Sequence, residues 1–70
     1  MNSLNAKELK KVIKTSGITM TSIAERIGIT RETLYNKMEK KSEFSASEIC
    51  AIQSILGISN AERDAIFFGN

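Results

Sequence analysis

Between Thr19 and Lys41 the apolar positions fall at helical spacing, and they change face partway along. Ile23, Ala24 and Ile27 share one side of a helix, and Leu34 with Met38 forms an i, i+4 pair on the next. Gly28 stands between them and can take the left-handed conformation that ends a helix without a Cβ clash. Thr30 can then cap the second helix through its side-chain oxygen. Ala24, four residues before Gly28, is small enough to let the two helices cross closely. The stretch predicts a helix-turn-helix.

The flanking segments predict three more helices. Asn5 followed by Glu8 has the residues of a capping box, after which Leu9, Val12 and Ile13 give one apolar face and Thr15-Ser16-Gly17 a stop. Lys7, Lys10, Lys11 and Lys14 lie off that face, where they suit either solvent or an anionic partner. Thr19 caps the second helix, with Met20, Thr21 and Ser22 in its first turn, and the third runs from about Arg31 to about Glu39. Ser45 with Glu48 opens a fourth, whose stripe of Ile49, Ile52, Ile55 and Leu56 takes in Cys50 and ends at Gly57. Ser59 with Glu62 opens a short fifth, whose apolar stripe begins with Ala65 and Ile66 and continues into Phe67 as core, leaving Phe68 for a self-association or partner contact. Phe44 anchors the loop after the third helix to the core.

Seventy residues without an internal repeat or linker predict a single domain over 1–70. No run approaches the roughly 18 apolar residues of a membrane helix, so the expectation is a cytoplasmic protein with no membrane partner. The lone cysteine, Cys50, reads as a small buried hydrophobe. With no histidine, one cysteine and no clustered carboxylates, the usual nucleophile and metal-ligand sets are missing, so an enzyme, a metal, a cofactor and a small-molecule ligand are not expected. The net charge of +2 is uneven: residues 1–20 carry +3, residues 21–44 +1 and residues 45–70 −2. That asymmetry directs the N-terminal two thirds toward an anion.

The run Ile23-Ala24, Gly28-Ile29-Thr30-Arg31 and Thr33-Leu34 resembles the helix-turn-helix of the Cro/repressor (XRE-type) family of DNA-binding proteins. Glu43-Phe44 and Ile66-Phe67-Phe68 are similar to segments of the small Cro-like regulators of temperate phages. The resemblance implies an all-α, lambda-repressor-like bundle of about five helices that lays its third helix in the major groove of double-stranded operator DNA. By position it implies that Thr30, Arg31, Glu32, Tyr35 and Asn36 meet phosphate or base edges. Their chemistry suits the task, since Arg reads guanine bidentately and Asn reads adenine. A glutamine common in the family at the place of Met20 binds phosphate, which methionine cannot do, leaving Thr21 or Ser22 as substitutes. Lys40 is expected to contact phosphate. Lys37, Lys40 and Lys41 also suit the negative end of the helix dipole.

The function implied is a small transcriptional regulator in a phage lysis/lysogeny switch, acting by occluding its operator. With so small a module, a homodimer on repeated half-sites is the expected means to specificity. The rival reading is an antirepressor that docks on the phage repressor protein and alters its DNA binding. Met20, Arg31, Tyr35 and Phe68 are the candidates for such a partner surface, being residue types that serve protein interfaces well.

Overall fold

The computed structural model describes residues 4–39 and 41–69. Five helices follow in order among the described residues, with no strand: α1 (Ala6–Ser16), α2 (Met20–Ile27), α3 (Arg31–Met38), α4 (Ala46–Leu56) and α5 (Asn60–Phe67). Each starts where a short polar side chain receives an otherwise unpaired backbone amide. Asn5, Thr19, Thr30, Ser45 and Ser59 accept from Glu8, Ser22, Thr33, Glu48 and Glu62 respectively.

The reciprocal half of the capping box forms at α4 and α5, where Glu48 and Glu62 accept from the Ser45 and Ser59 amides. At α1 the expected box is only half made. The Asn5 amide donates instead to the Ile66 carbonyl at 2.6 Å, so the start of the first helix is pinned to the last one.

An apolar residue also precedes every cap. Leu4, Ile18, Ile29, Phe44 and Ile58 hold the N′ position, and Leu9, Ile23, Leu34 and Ile49 hold N4 of the first four helices, which is the hydrophobic-staple arrangement. All nine belong to, or pack against, one hydrophobic cluster. Its fully buried centre takes at least one side chain from every helix: Leu9, Ile23, Leu34, Met38, Ile52 and Ile66. Burying such a side chain contributes about 1.5 to 3 kcal/mol, so a domain this small depends on nearly all of them.

Helix α4 is the hub, packing on α1, α2 and α5, while α2 also packs on α3 and α1 on α5. Between α2 and α3 the chain reverses at Gly28, with φ of 81°. The Gly28 amide donates to Glu25 and the Ile29 amide to Ala24, the paired bonds of a Schellman motif. Ala24 is 1 % exposed, in keeping with close packing beside the turn.

Two apolar assignments need correction. Cys50 is exposed, not buried. It follows Ile49 by 100° of helix rotation and so leaves the face that Ile49 and Ile52 bury, falling on the outward side with Ala46 and Ser54. Ala65 is likewise exposed, and the buried end of α5 is Ile66 and Phe67 alone.

Candidate DNA-binding surface

Eight residues give α3 a length of about 12 Å at 1.5 Å per residue, enough to lie in a major groove. Leu34 and Met38 turn fully inward, whereas Arg31 in the first turn, Glu32 and Tyr35 are exposed, with Asn36 half-exposed. Arg31 and Tyr35, four apart, form a unit. The guanidinium lies 5.3 Å from the ring centroid, and its Nη2 donates to the Tyr35 hydroxyl at 3.4 Å. This restrains both long side chains, and no carboxylate among the described residues pairs with Arg31 to neutralise it.

Thr30 has a structural duty. Its oxygen accepts from the Thr33 amide at 3.0 Å and its hydroxyl meets the Thr33 hydroxyl at 2.8 Å. What it presents to an anion is therefore the helix start it caps more than a free hydroxyl. Glu32, in the first turn of α3, complements that same positive end. Thr21 is exposed and Ser22 half-exposed at the start of α2, the Ser22 amide being taken by Thr19. Met20 is half-buried against the core and offers no hydrogen to a phosphate.

The lysines after Asn36 do not behave as one cluster. Lys37 folds back, its Nζ 3.1 Å from Glu48 Oε1, 2.9 Å from the Glu43 carbonyl it donates to, and 5.9 Å from the Phe44 ring centroid. Glu48 Oε1 in turn accepts from the Ser45 amide at 2.8 Å. Burial alone would raise the Glu48 carboxyl pKa, but the Ser45 amide and hydroxyl and the Lys37 ammonium outweigh it and hold it below the ordinary value. Lys37 is thus a clasp between α3 and α4. Nothing in the sequence marks it, because its partner lies eleven residues away across a loop. Lys41 stays exposed, in a loose 3.8 Å pair with Glu39. Lys40 lies outside the described residues.

Two further surface features adjoin these elements. Lys10, Ile13, Lys14, Met20, Tyr35 and Met38 line a groove between α1, the start of α2 and α3. A second depression, between α4 and α5, is lined by Ala46, Ile49, Cys50, Arg63 and Phe68. Phe68 is 49 % exposed and Tyr35 37 %, the two large hydrophobic side chains left exposed among the described residues. As expected, Phe67 is the one of the terminal pair that packs inward, with its ring edge-on to Phe44 at 5.4 Å.

No curated protein and no solved structure matches the chain. The family model described as bacterial regulatory protein, Fis family, matches residues 3–40, which takes in α1, α2 and α3 and so the whole of the helix-turn-helix. That match covers more than half of the chain and supports a helix-turn-helix DNA-binding domain built on these three helices. The chain belongs to the Fis family of bacterial regulatory proteins.

Proposed function

We propose that the protein is a sequence-specific regulator of transcription that works as the small Cro-like proteins of temperate phages do, by covering its operator. The observation that carries this reading is the Arg31–Tyr35 pair, held on the exposed side of α3 within the family-matched helix-turn-helix. Arg31 and Asn36 read base edges, Tyr35 supports Arg31, and the starts of α2 and α3, with Thr21, Ser22 and Thr30, meet phosphate. Glu32 complements the positive end of the helix dipole and discriminates among bases by accepting from cytosine. Lys40 adds a phosphate contact. One such module buries only about 600 to 1,000 Å² on DNA, so two copies on repeated half-sites supply the specificity. The single domain acts in the cytoplasm of a bacterial host.

The test is a gel shift on the duplex upstream of the protein's own gene. Arg31→Ala and Asn36→Ala should each cost about 1 to 3 kcal/mol at one operator position and relax the preference there. Equal loss on operator and mixed-sequence duplex for Arg31→Ala would reduce it to a phosphate contact.

A second reading is supported by the exposure of Phe68, a large apolar side chain left half in solvent. Here the protein is an antirepressor that docks on the phage repressor through Phe68 or through Met20, Arg31 and Tyr35. Co-elution with the neighbouring repressor, without an independent gel shift, would favour this reading over the first.

A further inference from the structure

The four lysines of α1 look alike in sequence, yet the fold separates them. As i, i+3 and i, i+4 neighbours, all four fall within an arc of about 100° on one side of the helix, so spacing alone does not divide them. Lys7 and Lys11 line a depression with Asn5 and the carboxylate of Glu8, and Lys11 shares a second one with Glu62 of α5. Lys10 and Lys14 instead flank the groove whose other walls are Ile13, Met20, Tyr35 and Met38. That groove has no acidic residue in its lining. Two like charges four apart repel, and here no carboxylate in the groove relieves them.

The groove is also continuous with the recognition surface. Tyr35 forms part of its wall and is bonded on its other side to Arg31. The apolar floor suits the methylene stems of the two lysines, which can lie along Ile13 and Met20 while the ammonium groups reach solvent. Met20, at the start of α2, gives this edge no donor of its own. Two free ammonium groups beside the recognition helix, and none of the opposite charge, make an anion site with a defined position relative to α3.

We infer that Lys10 and Lys14 form a phosphate clamp on α1 that grips the backbone of the same duplex whose base edges face α3. The inference rests on the DNA-binding reading above and assigns it a positioning contact outside the helix-turn-helix proper. The clamp supplies affinity and register without sequence preference, because phosphate contacts carry no base information. Lys7 and Lys11, whose depressions include the carboxylate of Glu8 and, for Lys11, that of Glu62, take no part.

The experiment measures the salt dependence of binding to a mixed-sequence duplex by fluorescence anisotropy, for the wild-type chain and for K7A, K10A, K11A and K14A. Circular dichroism first establishes that each variant is folded. Each phosphate contact contributes about 0.9 to the slope of log affinity against log salt, so K10A and K14A should each lower it by that amount. A fourfold rise in salt should then weaken the wild type about 3.5-fold more than either variant. K7A and K11A should keep the wild-type slope. Equal changes in all four variants would overturn the clamp in favour of a diffuse basic field, and no change in any of them would overturn it outright. A wild-type chain that binds no duplex would sink the DNA-binding reading itself. If K10A and K14A lose binding to an acidic amphipathic peptide but keep the wild-type DNA slope, the groove belongs to a protein partner and the clamp is wrong.

Discussion

Replacing Glu48 probes how the recognition helix is held, because one carboxylate oxygen serves two elements at once. It accepts from the Ser45 amide at 2.8 Å and faces the Lys37 ammonium at 3.1 Å, with the two side chains 16 % and 14 % exposed. Exposed ion pairs contribute about 0 to 1 kcal/mol, and breaking a fully buried one costs about 3 to 5. At this exposure, and with a capping bond lost as well, Glu48→Ala should cost about 2 kcal/mol, or roughly 8 to 16 °C in Tm for a chain of this size. Glu48→Gln keeps an acceptor for Ser45 and should lose about half as much. The pH dependence gives an independent check. The folded carboxyl titrates below its ordinary value, so its stabilisation is complete above that value and is lost as pH falls through the lower, folded one. Thermal melts followed by circular dichroism from neutrality into acid should therefore show wild type and Glu48→Gln converging as the pH drops. A Tm gap that stays constant through the acid range would refute the argument, as would strictly additive effects of Glu48→Gln and Lys37→Met in a double-mutant cycle.

Two other perturbations address the core and the C-terminal rings. Leu34→Ala and Ile52→Ala, at sites 0 % and 1 % exposed, should each cost about 2 to 5 kcal/mol through the cavity left behind, and melts unchanged within a couple of degrees would contradict the packing. Phe67→Ala should cost about 3 to 5 kcal/mol, since it also removes the edge-on contact with Phe44. Phe68→Ala should leave the melt nearly unchanged and alter instead the elution volume, alone or with repressor; equal destabilisation by both would place Phe68 in the ordinary core.

Helix starts were legible in the sequence because capping is a local event. Thr19, Thr30, Ser45 and Ser59 each sit three residues from the amide they receive. Much of the exposed side of α3 was legible for the same reason, since inward-facing Leu34 and Met38 leave Glu32 and Asn36 on the far side of the helix. The apolar residues before the caps were equally local, yet Leu4, Ile18 and Ile58 are easily passed over because each stands alone, outside any periodic stripe. Cys50 shows the opposite error, an apolar neighbour absorbed into a stripe that rotates away from it. The Lys37–Glu48 clasp and the division of the α1 lysines depend on how helices meet across loops, and no spacing rule carries that information. The same holds for the Asn5 amide, whose partner in α5 displaced the expected one in α1.

That bond between Asn5 and Ile66 bears on how the protein is made. A ribosome releases α1, α2 and α3 first, but Ile49, Ile52, Ile58, Ile66 and Phe67 of the buried cluster all follow the third helix. At about 5 to 20 residues per second, the stretch from residue 40 to residue 67 takes roughly 1 to 6 s to synthesise. During that interval the nascent chain carries the whole helix-turn-helix, while Leu9, Ile23 and Leu34 lack the buried residues that follow α3. The last helix therefore acts as a keystone: until it arrives and takes the Asn5 amide, α1, α2 and α3 lack part of the packing that fixes their relation.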